Sequence, residues 1–179
     1  MTDRRRFEAE ALVHLDAAYN LARWLLRAPA EADDAVQEAM LRAFRGYDGR
    51  RGAEVRPWLL AIVRNCCYDA AGRRAREAGR RAPGDPALVA GNLAAPEADE
   101  PLAAALRAEA AGALDQALAA LAPDFREVLV LREIEDLSYR EIAEVIGAPV
   151  GTVMSRLARA RAALRAVAAG AGGQDDGLR

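Results

Sequence analysis

Residues 137–157 read LSYREIAEVIGAPVGTVMSRL, a pattern that indicates a specific helical motif. Ser138 and Glu141 have the spacing of a capping box, in which the serine caps the start of a helix and the glutamate reaches back to it. Apolar residues then recur at helical spacing until Gly147, which ends the helix. A short turn leads into a second helix that is basic on its polar side. Together these features predict a helix-turn-helix, whose second helix can lie in the major groove of DNA.

The polar side of the second helix carries the candidate base-reading residues. They share one side of the helix and are Thr152, Ser155, Arg156 and Arg159. Residues near the start of such a helix are placed to meet base edges, whereas Arg161 and Arg165 lie further along and are expected to meet phosphates. The alternative is that the four arginines of this helix only solvate its surface.

The rest of the chain is also typical of an all-α protein. The 179 residues include 5% aromatic residues, alanine is abundant, and β-branched residues are sparse, so helices are favoured over sheets. Apolar residues recur at helical spacing from Phe7 to Leu26, and Pro29 ends that first helix. The inward positions of this helix include Leu12 and Leu15.

Two more helices are expected before residue 80. The second runs over about 30–45 and turns four apolar residues inward, namely Val36, Met40, Leu41 and Phe44. Residues 46–56 contain three glycines and are predicted to form a loop. Pro57 suits the first turn of a third helix that ends near Arg76.

A segment rich in proline divides the chain into two small helical domains joined by a flexible linker. The segment contains Pro83, Pro86, Pro96 and Pro101, and it has few large apolar residues. A connection of this length argues against one compact domain. The predicted division is a first domain over 1–76, a linker over 77–112, a helix-turn-helix domain over 113–167 and a disordered tail over 168–179.

Several classes of function are not supported by the residues present. The sequence has no glycine-rich phosphate loop, no dinucleotide fingerprint and no nucleophilic arrangement, so we do not expect an enzyme or a cofactor. Cys66 and Cys67 are adjacent, and the single His14 has no neighbouring ligands, so no metal site is expected. No run approaches the length of a membrane span, and the amino terminus lacks a signal core. We therefore expect a cytoplasmic protein without membrane contact of its own.

The net charge of −2 hides a strong separation of charge along the chain. All 25 basic residues are arginine, and residues 42–81 hold eleven of them against four acidic residues. Residues 113–148 hold three arginines against eight acidic residues, and residues 149–167 hold four arginines and no acid. Phosphate would repel the acidic stretch, which must therefore face away from DNA. It either faces a basic protein surface or is solvated.

The basic block at 42–81 is a second candidate site. Arginines interleaved with aromatic residues suit the stacking of unpaired bases and contact with their backbone. Trp58 lies one residue into a helix, so a place in the core is favoured over a role as a base platform. Asn65 offers an amide donor and an acceptor for a base edge, although its pattern alone is that of an ordinary surface asparagine.

Three motifs together resemble a bacterial RNA polymerase sigma factor of the extracytoplasmic-function group. Residues 137–157 resemble the fourth conserved region of these proteins. The stretches DDAVQEAMLRAFR at 33–45 and RPWLLAIVRN at 56–65 resemble the second region. The motifs occur in the right order, are joined by a linker, and lack a third domain between them. The resemblance covers about 130 residues of the chain.

The resemblance implies roles for individual residues. Asp34, Gln37 and Glu38 match the surface that docks on the clamp helices of the largest polymerase subunit. The loop at 46–56 and the helix that carries Asn65 match the part that captures a flipped base of the minus-ten element. The arginines that would contact the backbone of that strand are Arg64, Arg73 and Arg74.

The same resemblance assigns the second domain and the regulatory partner. The last helix matches the reader of the minus-thirty-five element, the acidic stretch before it would meet the polymerase flap, and the linker would thread toward the active-site cleft. An anti-sigma protein is the expected regulator. Two positions depart from the family pattern, because Met154 stands where Lys or Arg is frequent and Val55 where an aromatic residue is frequent.

Two other functions remain open from the residues alone. A self-contained helix-turn-helix regulator would bind promoters as a dimer without polymerase. A protein-interaction adaptor with a degenerate DNA-binding domain would direct no promoter-specific transcription.

Overall fold

A computed structural model describes residues 3–50, 54–79, 112 and 114–172 of the chain. Within these residues all regular structure is helical, which confirms the predicted all-α fold. The helices are α1 (Asp3–Ala11), α2 (Leu15–Leu26), α3 (Pro29–Gly46), α4 (Val55–Ala78), α5 (residues 114–119), α6 (Pro123–Leu129), α7 (Tyr139–Ile146) and α8 (Val150–Gly172). A 3-10 turn, Leu12–His14, joins α1 to α2, and a π-helical turn, Val130–Ile134, follows α6.

The first half of the chain forms a bundle in which α2, α3 and α4 all contact one another. Its core contains Leu21, Leu59, Leu60 and Val63, all fully buried. Alanines of α2 and α3 are also buried, so the helices approach closely. This bundle presents the outer faces of α3 and α4 to solvent.

The expectation of one continuous first helix was wrong. The 3-10 turn interrupts it, and Leu12 and Leu15, expected inward, are exposed. A 3-10 turn winds more tightly than an α-helix and so shifts the phase of the apolar stripe. As a result Phe7 of α1 and Leu21 of α2 reach the same core, although no single helical stripe connects them.

The second half contains the predicted helix-turn-helix. The side chain of Ser138 accepts a hydrogen bond from the backbone of Glu141, and the carboxylate of Glu141 accepts one from the backbone of Ser138. Gly147 ends α7 with a φ of 64°, a left-handed conformation that glycine adopts without strain. The capping box and the glycine stop are thus confirmed, and they fix where α7 begins and ends.

The two halves pack against each other. Helix α4 lies against α7, and α2 lies against α6, so that the buried apolar residues form one continuous cluster. The guanidinium of Arg126 on α6 is buried and donates to the carbonyl oxygens of Leu118, Ala119 and Leu121, and also of Trp24 in the first half. One side chain therefore ties the carboxyl end of α5 to the end of α2.

The predicted linker lies mostly outside the described residues, since 80–111 are not among them. The predicted tail over 168–179 is only partly described: α8 continues through Gly172, and residues 173–179 lie outside the described residues. Alanine is the best helix former, and residues 166–172 are mostly alanine, so propensity extends the helix.

Candidate nucleic-acid and protein interfaces

Helix α8 buries one face and leaves its amino-terminal part open on the other. Val153, Leu157 and Ala160 are buried on the side opposite the polar residues. Ser155 and Arg159 are exposed, and Thr152 is half-buried beside them. Met154 is also exposed on the free surface of the helix, at 53%. Residues of this kind at the start of the second helix of a helix-turn-helix are those that reach base edges.

Two of the four arginines of α8 pair with acidic residues of the same domain. Arg156 Nη2 lies 2.9 Å from Asp124 Oδ2 of α6, and the Arg156 side chain is only 28% exposed. Arg161 Nη2 lies 2.7 Å from Glu133 Oε1. Part of the acidic stretch at 113–148 therefore neutralises the basic helix that follows it. Arg159 and Arg165 are exposed, and neither forms an ion pair within the described part of the chain.

Helix α4 displays most of the other predicted strand-binding residues. Asn65 and Arg73 are exposed. Arg74 is exposed and lies 3.2 Å from Glu31 of α3, a surface pair that contributes little to stability. Arg64 differs from these three, because it is turned toward the second half of the chain.

Arg64 forms an ion pair with Glu127 of α6, whose side chain is fully buried. Its second guanidinium nitrogen lies 3.4 Å from the other carboxylate oxygen, and the guanidinium also lies over the ring of Tyr68, 4.6 Å from its centroid. Burial raises the pKa of Glu127, while Arg64 opposes that shift. The charged form of Glu127 therefore depends on Arg64 for its stabilisation.

A second buried carboxylate lies at the same interface. Glu135 accepts a hydrogen bond from Arg56 at 2.9 Å and another from Asn20 at 3.1 Å. Sequence reasoning missed Arg56 and Asn20 as partners. The signal in the sequence was that acidic residues are in excess within 113–148, whereas arginines are in excess within 42–81. It indicated a basic partner surface without showing that the surface belongs to the same chain.

The aromatic residues of the first half form a cluster under the loop that follows α3. The ring of Tyr47 lies edge-on to those of Phe7 and Trp58, with centroids 5.4 and 6.3 Å apart. The guanidinium of Arg50 lies over the Tyr47 ring at 4.8 Å. Trp58 is partly buried and packs against the core, in line with the interpretation favoured from the sequence. The cluster fixes the loop residues up to Arg50 against α4.

The outer face of α3 combines acidic and apolar residues. Asp34 and Gln37 are exposed, and Glu38 pairs with Arg42 at 2.8 Å. The expectation that Leu41 and Phe44 point inward was wrong, because they are 53% and 46% exposed. The inward positions on this helix are taken by Val36 and by small residues, namely Ala32, Ala35, Ala39 and Ala43. An exposed apolar strip beside acidic groups is typical of a protein-binding surface.

Cys66 and Cys67 are free and buried in α4. Burial raises the pKa of Cys66 and that of Cys67, the latter to about 12. Both thiols are therefore held protonated at neutral pH and act as small apolar residues.

Comparison with known proteins identifies both halves. The family model described as Sigma-70 region 2 matches residues 12–77, and the one described as Sigma-70, region 4 matches residues 111–164. The chain is 35% identical over 166 residues to the RNA polymerase sigma-H factor of Pseudomonas aeruginosa, covering 90% of this chain and 86% of that protein. It is 36% identical over 163 residues to the ECF RNA polymerase sigma factor SigM of Mycobacterium tuberculosis, covering 90% and 76%.

Solved structures agree with these relatives. The sigma factor RpoE of Bartonella quintana, in complex with the anti-sigma factor NepR, superposes with a TM-score of 0.75 at 27% identity, covering 91% of this chain and 96% of that one. CnrH in complex with the cytosolic domain of CnrY gives a TM-score of 0.66 at 26% identity, covering 93% and 90%.

Two helical domains that match regions 2 and 4 define an RNA polymerase sigma factor. The chain belongs to the sigma-70 family, in its extracytoplasmic-function group. It is a transcription regulator that binds core RNA polymerase and acts in promoter-specific initiation. Among the described helices, none combines the length and the apolar character needed to cross a membrane.

Proposed function

We propose that the two domains divide the work of promoter recognition, with region 2 binding polymerase and the minus-ten element and region 4 binding the minus-thirty-five element. The main support for this proposal is that the two kinds of surface lie on different helices. The acidic and apolar strip lies on α3, whereas the exposed polar and basic residues lie on α4 and on the start of α8. The protein acts in the cytoplasm, where polymerase works, and contributes binding energy instead of catalysis.

The strip on α3 is the proposed polymerase contact. Asp34, Gln37 and Glu38 supply charge and hydrogen bonds, and the exposed side chains of Leu41 and Phe44 supply apolar area to bury. Aromatic and apolar anchors surrounded by polar groups are the usual makeup of a protein interface. The clamp helices of the largest subunit are the proposed partner for this strip.

The proposed minus-ten contact is the exposed side of α4. Asn65 would hydrogen-bond to the edge of a base that has left the stack, and Arg64, Arg73 and Arg74 would contact the backbone of the same strand. Flipping a base costs on the order of a few kcal/mol, which the pocket must offset. Because few aromatic residues are exposed in the described part of this surface, efficient melting requires good matches at both promoter elements.

The proposed minus-thirty-five contact is the start of α8. Thr152, Ser155 and Arg159 face or flank the free side of the helix, and Arg156 lies beside them next to Asp124. Neither domain needs to bind DNA tightly alone, because polymerase fixes their separation and so raises the effective concentration of the second contact. The acidic surface of region 4 that remains exposed is the proposed contact for the flap.

An anti-sigma protein is the proposed regulator. The superposed sigma factor of Bartonella quintana is in complex with one, and CnrH is in complex with the cytosolic domain of CnrY. A protein that covers the α3 strip would compete with polymerase for the same apolar residues. Affinity purification from the source cells, followed by mass spectrometry, would identify it.

In vitro transcription over a pooled promoter library tests the main proposal. Core polymerase with the protein should yield discrete starts that share two spaced upstream elements, and core polymerase alone should not. Promoter binding without polymerase would favour a self-contained regulator. Binding to polymerase without any starts would favour an adaptor.

A further inference from the structure

We propose that region 4 holds this sigma factor in a self-inhibited closed state, in which Glu127 and Glu135 occupy arginines of α4 in place of promoter phosphates. The inference deepens the proposed function, since it rests on the assignment of α4 to the promoter strand. It concerns the chain alone and requires no anti-sigma protein.

The ion pairs between the two domains all have the same arrangement of charge. In the described part of the chain, each ion pair that crosses between the domains has its arginine in region 2 and its acid in region 4. The three pairs are Arg64 with Glu127, Arg56 with Glu135, and Arg27 with Asp115. The carboxylates of Glu127 and Glu135, which pair with arginines of α4, are almost completely buried, whereas Asp115 at the other end of the interface is partly exposed.

A carboxylate that accepts from a guanidinium uses the same donors as a phosphate does. Arg64 directs two nitrogens at the two oxygens of Glu127, the geometry that arginine also uses with phosphate. A donor held by Glu127 is not available to DNA, so domain packing and strand binding at Arg64 exclude each other. The same argument applies to Arg56 and Glu135.

The pairs are maintained by burial and by the covalent connection. Separating Arg64 from a buried Glu127 without rehydrating it would leave an uncompensated charge, so the pair opens only when the domains part. Domains of one chain meet at an effective concentration on the order of mM, so a weak interface suffices to keep them closed. Polymerase, by holding the domains apart, would release both arginines together.

The test measures the full chain without polymerase. The variant Glu127→Gln with Glu135→Gln weakens both pairs and keeps the side-chain shapes. The control is Asp136→Asn with Glu144→Gln, which removes two charges from exposed positions of region 4 that form no ion pair with region 2 or with α8 in the described part of the chain. The probe is a labelled single-stranded DNA 12-mer of mixed sequence, read by fluorescence anisotropy, and small-angle scattering reports the radius of gyration.

We expect the interface variant to have a larger radius of gyration than wild type and to bind the 12-mer at least tenfold more tightly. The control variant should match wild type in both measurements. Each phosphate contact to a single strand adds about −0.7 to the slope of log K against log salt, so two freed arginines should steepen the slope by about 1.4. Adding Arg64→Ala to the interface variant should remove most of the gain. The milder Asp115→Asn variant leaves the buried carboxylates in place and should shift affinity in the same direction.

Two results would overturn the inference. One is that both the interface variant and the Asp115→Asn variant keep the radius of gyration of wild type and its affinity for the 12-mer. The other is expansion without tighter binding or a steeper salt slope, because the contact would then exist without shielding the strand surface. Failure of the proposed function has a different signature, namely no promoter starts from wild type with core polymerase.

Discussion

The guanidinium of Arg156 on α8 lies 2.9 Å from the carboxylate of Asp124 on α6. The pair joins the candidate base-reading helix to the helix that opens with Pro123, and Arg156 remains partly exposed beside it. One residue is therefore placed both to position α8 and to reach the groove. Variants of Arg156 and of Asp124 separate these two roles.

Arg156→Ala should weaken binding to the minus-thirty-five element by about 1–3 kcal/mol if Arg156 makes a bidentate contact to a base. The measurement is transcription by the holoenzyme on promoters that carry matched or altered elements. Asp124→Asn is the matched control, because it removes the ion pair and leaves Arg156 free to contact DNA. An equal loss in both variants would show that Arg156 acts by positioning α8.

Asn65→Ala should reduce open-complex formation roughly fivefold while leaving polymerase binding intact, since an amide–base hydrogen bond is worth on the order of 1 kcal/mol. Asn65 is exposed on α4 and the loss of its side chain leaves no cavity. Permanganate footprinting of the melted strand measures the first effect, and co-purification with core polymerase measures the second. Loss of both together would contradict the assignment of Asn65 to the promoter strand.

Asp34→Arg should weaken the complex with core polymerase roughly tenfold, because it reverses a charge on the exposed face of α3 beside Leu41. A competition assay with a labelled sigma factor gives the affinity. Asp16→Arg makes the same charge change on the exposed side of α2 and should have little effect. A comparable loss with Asp16→Arg would indicate a general effect of net charge.

Ser138→Ala should lower the free energy of unfolding by about 1 kcal/mol, as expected for the loss of an N-cap. Hydrogen bonds from Ser138 lower the pKa of Glu141 in the folded protein. The stabilisation from Glu141 is therefore fully present above the pKa of the unfolded chain and is lost as the pH falls through the folded value. Denaturant unfolding at pH 7 and near pH 3 checks this: the difference between wild type and Glu141→Gln should shrink at the lower pH.

Cys66 and Cys67 should resist thiol reagents in the native protein at pH 8. Both side chains are buried, and burial raises the pKa of each thiol, that of Cys67 to about 12. Labelling should be more than about tenfold slower than in 6 M urea, where both thiols should react, because the thiolate is the reactive form. Fast labelling of the native protein would instead indicate that at least one of these thiols is accessible and reactive.

The local features of the second domain were predictable from sequence because short-range rules determine them. The capping box of Ser138 and Glu141 and the left-handed Gly147 depend only on neighbouring residues, and the structure confirms both. The buried face of α8 follows from its 3.6-residue period. Leu41 and Phe44 were misplaced because α3 packs through alanines, and a pattern that counts only large apolar residues selects the wrong face.

Most of the helices, the capping of α7, the two matching regions and the separation of charge could be predicted from the sequence, since each depends on composition or on residues close in the chain. The pairing of charged residues across the two domains, by contrast, depends on the packing of the helices. Arg64 and Glu127 are 63 residues apart, and Arg56 and Glu135 are 79 apart. No local period or motif links such partners. Their pairing follows from how α4 packs on α7 and α2 on α6, because that packing removes water from the carboxylates and leaves arginine as their available partner.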